Sequence, residues 1–234
     1  MRASTHLRAT QGFTLVELLV ALFVMALLAI LSWRGLDGMV RAQEATQSRS
    51  DGVLTMQVGL AQWAADLDAL EQLPQATAIE WNGRVFRMTR RSTSTATDGV
   101  LVVGWTRRVV NGAGTWLRWQ SAPVATRGDL ENAWLAADTW SQNPGEDLIR
   151  REVSVAPLDD WQIYFFRENA WTNPLSSDVK TATPGGVLPG APAVQSIAVI
   201  PDGVRLVLTL PAGQPISGTL STDWVRPTVG GSRG

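Results

Sequence analysis

From Phe13 to Trp33 the chain reads FTLVELLVALFVMALLAILSW, and Leu18 to Leu31 form a run of 14 residues without a polar side chain. At about 1.5 Å per residue, a helix of that length spans roughly the 30 Å hydrocarbon core of a bilayer. Residues 13–33 are therefore expected to form a transmembrane helix. A secretory signal peptide has a shorter apolar region and a small-residue cleavage site after it, which Arg34-Gly35-Leu36-Asp37 fits poorly, so the segment is expected to stay in the mature protein. Arg2, His6 and Arg8 precede it, and the positive-inside bias places residues 1–12 in the cytoplasm and the rest of the chain across the membrane.

Glu17 interrupts this anchor. An ionised side chain at membrane depth costs about 2.5–3.5 kcal/mol on insertion scales, so it needs a partner unless it reaches the headgroups. Gly12-Phe13-Thr14-Leu15-Val16-Glu17 resembles the type IV prepilin processing motif. The resemblance implies a dedicated aspartyl membrane peptidase that cuts after Gly12 and methylates the new amine of Phe13, leaving Glu17 where that family keeps its glutamate. Glycine before the cut permits close backbone approach in a protease cleft. The cut releases an ammonium at membrane depth, which can meet Glu17 as an i,i+4 pair within one helix or between neighbouring subunits. The family resemblance implies the second arrangement.

Beyond the anchor, Val53, Met56, Leu60, Trp63, Leu67 and Leu70 make an apolar stripe of helical period, with Gln57, Gln62, Asp66, Asp68 and Glu71 on a solvated face. Gly35, Gly38, Gly52 and Gly59 are expected to loosen the helix, and Pro74 to end it, so that it runs from Phe13 to Leu73 with residues 34–73 as its continuation beyond the membrane.

From Ile79 the period changes to two. Strands are expected at Trp81–Thr89, Val100–Val110, Trp116–Trp119, Leu148–Ala156, Trp161–Phe166, Val194–Ile200, Val204–Leu210 and Ile216–Leu220. Asn111-Gly112-Ala113-Gly114 and Pro201-Asp202-Gly203 read as hairpin turns. Arg127–Asp147 and Asn169–Pro192 read as long surface loops, and Val229–Gly234 as a frayed tail whose residues 230–234 lie beyond the β-rich domain. A long helix followed by about eight strands, residues 74–229, predicts an α+β fold of the type IV pilin kind, with the helix packed on antiparallel sheet.

Composition narrows the function. Twenty basic and 21 acidic residues leave a net charge of -1, which disfavours nucleic-acid binding. There is no cysteine, and His6 and Lys180 are the sole histidine and lysine, so the usual carriers of catalysis are nearly missing. Asp159-Asp160 and the Asp66/Asp68 pair read as solvated carboxylates, and Arg84, Arg87, Arg90 and Arg91 as a solvated or salt-bridging face. No stretch has the oxygen spacing of a calcium loop, so neither metal nor cofactor is expected, nor a small-molecule substrate. Trp134 and Trp140, in a loop, read as exposed aromatics for a protein interface. The competing class is a membrane-anchored hydrolase with two acids distant in the chain.

Trp33-Arg34-Gly35-Leu36-Asp37 resembles the stretch after the membrane segment in J-type minor pseudopilins of the type II secretion system. That resemblance implies an inner-membrane subunit whose partners are the I-type and K-type minor pseudopilins, possible contact with the H type, the major pseudopilin, and the prepilin peptidase/methyltransferase. Such a subunit joins the complex at the pseudopilus tip, which primes assembly beneath the outer-membrane secretin. A PilW-like minor pilin of type IV pili shares the layout and is the alternative.

Overall fold

The computed structural model describes residues 13–74, 76–92, 99–176 and 200–227. The leader with Gly12, residues 194–199 of the expected Val194–Ile200 strand, most of the Asn169–Pro192 loop with Lys180, and the Val229–Gly234 tail lie outside the described residues. The chain divides into two compact units, Met1–Ser50 and Asp51–Gly234. The described part of the first is helical throughout, apart from Phe13 and Thr14. The second holds the expected antiparallel β-structure, so the pilin-like α+β class of a long N-terminal helix followed by sheets is the one observed.

Helix α1 (Leu15–Asp68) runs unbroken through all four glycines expected to loosen it. It stops before the expected end at Leu73, because the backbone turns to pair with a strand: Leu70 bridges Arg90, Glu71 N–H donates to Thr89 O (2.9 Å) and Arg91 N–H donates to Ala69 O (2.8 Å). Met56, Trp63 and Leu67 of the stripe are buried, whereas Val53 remains exposed. Gly59 is also buried. A Cβ there would lie 2.4 Å from Val155 Cγ1 and 3.3 Å from Trp116, so glycine sets how closely the helix can seat on the sheet.

Strands β1 (Ile79–Trp81), β2 (Val85–Arg91), β3 (Val100–Val110), β4 (Ala113–Gln120) and β5 (Glu152–Pro157) form an antiparallel sheet in chain order. A second sheet has the order β7-β6-β8-β9, from β6 (Asp160–Arg167), β7 (Ala170–Thr172), β8 (Gly203–Leu210) and β9 (Gly218–Val225). The single strand expected at Trp81–Thr89 is two strands, because Asn82 Oδ1 accepts from the N–H groups of Arg84 (3.0 Å) and Val85 (2.9 Å) and Gly83 takes φ 89°. Asn111 (φ 50°) and Gly112 (φ 83°) alone make the β3–β4 turn, and Val110 pairs with Ala113. Both edges of β8 are taken, by β6 and β9, and the strand expected to form a hairpin with it lies outside the described residues apart from Ile200.

Part of the expected Arg127–Asp147 loop is helix α2 (Arg127–Gln142), followed by the short α3 (Glu146–Ile149), which delays β5 to Glu152. Thr126 and Asp129 cap α2 reciprocally: Asp129 N–H donates to Thr126 Oγ1 (3.2 Å) and Thr126 N–H to Asp129 Oδ2 (3.0 Å). The hydrogen bonds from Thr126 hold the Asp129 carboxyl below its ordinary range.

Alternation along the strands divides the interior. Phe86, Met88, Val103, Trp105 and Trp116 join Met56, Trp63 and Leu67 of α1 and the inward residues of the second sheet in one core. Val85, Val102, Leu117 and Trp119, on the other face, join Leu130, Ala133, Ala137 and Trp140 of α2 in another. The first sheet is thus covered on both faces.

Candidate processing and assembly segment

The segment of interest opens at Phe13, which is 85% exposed and lies outside α1, as does Thr14. The first helical bond runs from Leu18 N–H to Thr14 O (3.2 Å), which makes Thr14 the N-cap. Glu17 is the third helical residue, and the two side chains close on each other. Glu17 N–H donates to Thr14 Oγ1 (3.3 Å), while Thr14 N–H (3.0 Å) and Thr14 Oγ1 (2.9 Å) both donate to Glu17 Oε2. This is a capping box, formed from the spacing T-x-x-E that the sequence displays. It gives the charged oxygen two donors within its own turn. In the sequence Thr14 stands as part of the processing motif, and its T-x-x-E spacing with Glu17 is itself a sufficient signal of the box.

After Glu17 the helix is apolar around its whole circumference up to Leu31, and these side chains are exposed on the isolated chain. A helix apolar on every side has no polar face to turn to water, which is the pattern of a membrane span. The helix has a window of mean hydropathy 2.8 and none of that window is buried, so it is long and apolar enough to cross a bilayer. Beyond Trp33 charge returns, with an ion pair between Asp37 and Arg41 one turn apart.

The other residues singled out from sequence fall elsewhere. Asp66 is the largest departure, for it is fully buried where a solvated carboxylate was expected. Three neighbouring strands converge on it: Arg90 from β2, Trp105 Nε1 from β3 (2.9 Å), and Arg118 from β4 through Nε (2.7 Å) and Nη2 (2.8 Å), with Gln62 Nε2 (2.9 Å) from α1 itself. Asp68 is exposed but accepts from Trp224 Nε1 (2.8 Å). Of the expected basic face, Arg87 pairs with Glu80 (2.7 Å), Arg91 with Glu71 (3.0 Å), and Arg90 is buried on Asp66, so these three are used inside the domain; Arg84 is exposed. Asp159 and Asp160 are exposed, as expected.

Trp140 is completely buried and donates to Glu152 Oε2 (2.7 Å), while Trp134 is half-buried, donates to Thr89 Oγ1 (3.2 Å) and lies under the Arg87 guanidinium. Trp140 is thus not the exposed aromatic expected, whereas Trp134 keeps part of its surface open. Both are held because the segment is an amphipathic helix, not a loop. The exposed apolar residue of α2 is Leu135, at the edge of an open groove of about 700 Å³ between α2 and Leu73, Pro74, Ala76 and Thr77.

Residues 7–33 match the family described as the prokaryotic N-terminal methylation motif. No curated protein matches the chain. The match covers the capped helix start, Glu17 and the apolar run together. The motif and the fold mark a type IV pilin-like protein, and proteins bearing such a motif are processed by a prepilin peptidase and assemble with other pilin-like subunits.

Proposed function

We propose that the chain is a minor pseudopilin of the J type in a type II secretion system, made as a precursor whose residues 1–12 are removed and whose Phe13 amine is methylated. The observation that carries this reading is the methylation motif on an apolar helix that continues into an antiparallel β-domain. The aromatic-Arg-Gly-Leu-Asp stretch at Trp33–Asp37 supports the J type.

In this reading the protein sits in the bacterial inner membrane with its N-terminus in the cytoplasm and its β-domain in the periplasm. Hydrolysis after Gly12 leaves an ammonium on Phe13, and Glu17 of one subunit accepts the amine of the next. Each charge is costly alone in hydrocarbon, and their pairing sets the register between helices. The β-domain binds the I-type and K-type subunits, with the H type and the major pseudopilin below, and the resulting tip primes a filament that pushes cargo to the secretin. Its role is that of an assembly subunit and not of an enzyme.

Mass spectrometry of the membrane-extracted protein tests the processing: residues 1–12 are expected to be lost and one methyl group gained. An intact Met1 in cells that hold the peptidase would sink the reading. Affinity capture then separates the two systems. Recovery of I-type and K-type partners supports secretion, and recovery of pilus-tip subunits points to the PilW-like alternative.

A further inference from the structure

The helix of the processing segment starts at one defined residue. Leu15 is the first helical residue, and Phe13 and Thr14, on the carboxyl side of the proposed cleavage point, are not helical. That boundary is set by the mutual bonds of Thr14 and Glu17 described above. We propose that Thr14 is a positioning residue for leader removal, its box with Glu17 fixing the helix start at Leu15 so that the bond before Phe13 stays outside the helix.

The inference rests on the reading that the chain is cut between Gly12 and Phe13. Hydrolysis adds water across that amide, leaving a carboxylate on Gly12 and an amine on Phe13. A peptidase must reach the carbonyl carbon, and a helical turn shields it by tying the carbonyl to an N–H four residues on. Without the cap at Thr14, the next side chain upstream suited to capping is Thr10. A helix begun there would take Gly12 and Phe13 into its first turn. Glycine at position 12 opposes that extension by its low helix propensity, and the Thr14 box opposes it by offering a better start. The two residues on either side of Phe13 therefore act toward one end.

The box also fixes what chemistry Thr14 must supply. Its hydroxyl accepts the Glu17 N–H and donates to the Glu17 carboxylate, so serine can replace it and valine, of the same shape, cannot. Glutamine at position 17 still accepts the Thr14 N–H, and so keeps the box while removing the charge.

The full-length chain is expressed with a prepilin peptidase, and cleavage is followed by pulse-chase with the new N-terminus read by mass spectrometry. Thr14→Val is expected to slow the cut roughly 2- to 30-fold, the range that the loss of an N-cap implies. Thr14→Ser is expected to restore it, and Glu17→Gln to be cut at near the wild-type rate. Membrane insertion of each variant is checked by carbonate extraction, and a variant that inserts normally but is cut slowly supports the proposal. If Thr14→Val is cut as fast as the wild type, the positioning role is overturned and the processing reading stands. If the wild type itself is not cut after Gly12, the processing reading fails and takes this inference with it.

Discussion

Asp66 on α1 and Arg118 on β4 stand 52 residues apart in the chain and meet through a two-pronged contact, Nε to Oδ2 at 2.7 Å and Nη2 to Oδ1 at 2.8 Å. Arg90 reaches the same carboxylate, and all three side chains are nearly excluded from solvent. Removing the carboxylate leaves two guanidinium groups in the interior without their counter-charge. Asp66→Ala is expected to destabilise the domain by about 3–5 kcal/mol, the usual result of breaking a buried ion pair from one side. Urea unfolding of a fragment starting at Leu36 measures this, and a loss below about 1 kcal/mol would show that the network is not what pins the helix to the sheet.

Gly59 makes a second prediction on the same helix. A methyl group at Gly59 would meet Val155 Cγ1 at 2.4 Å, so Gly59→Ala should force the helix off the sheet at a cost of about 1–3 kcal/mol. Helix propensity alone predicts the opposite sign by about 1 kcal/mol. Gly38→Ala, with nothing within 4 Å of its Cβ, is the control and should leave the unfolding midpoint unchanged or higher. Equal behaviour of the two variants would refute the packing argument.

Glu17→Gln, which keeps the box with Thr14 and removes the charge, tests assembly apart from folding and from leader removal. Glu17 lies in the first compact unit and bonds Thr14 within its own turn, so the β-domain should keep its unfolding midpoint. Copurification with sister subunits should fall sharply, because a neighbour's amine at membrane depth would have no counter-charge. Undiminished complex formation would count against the intersubunit role.

Acid should weaken the domain in a defined window. Hydrogen bonds from Arg205 hold Asp223 below its ordinary value of 3.8, and those from Thr126 do the same for Asp129. A carboxylate depressed in the folded state is protonated more readily when unfolded. Its contribution is therefore complete above the ordinary value and is lost as pH falls through the lower folded one. Asp223→Asn should be less stable than wild type near neutrality, and the gap should narrow as pH falls below the ordinary value of 3.8. A gap that is constant with pH would mean that the pair contributes nothing through ionisation.

The local features were legible in the sequence, and the long-range ones were not. The anchor, the α1 stripe at Met56, Trp63 and Leu67, and the Asn111-Gly112 turn each rest on a pattern contained in a few residues. Helix α2 was also contained locally, in the Thr126–Asp129 cap and in the spacing of Leu130, Ala133, Ala137 and Trp140, but Gly128, Asn132 and Ser141 gave the segment the composition of a loop. Asp66 is different in kind. Its partners Arg90, Trp105 and Arg118 come from three strands, and only sheet register brings them to one carboxylate, so its position in a helical pattern said nothing of its burial. Position 17 shows its motif plainly, and its bonds to Thr14 follow from the T-x-x-E spacing once the helix starts at Leu15 rather than at Phe13.

Trp63 on α1 stands 5.4 Å from Trp105 and 6.1 Å from Trp116, and these two sheet residues are 4.5 Å apart, ring centre to ring centre. Indole transition dipoles at such spacing couple, so the trio absorbs and emits as a joint chromophore whose circular dichroism carries a paired band of opposite signs. One member belongs to the helix and two to the sheet, which makes the band a built-in gauge of their contact. When α1 lifts from the sheet, the share of the band that Trp63 contributes is lost while the share from Trp105 and Trp116 persists as long as the strands stay paired. A partial loss therefore times the separation of the two layers and a full loss times the opening of the sheet, without attaching any label.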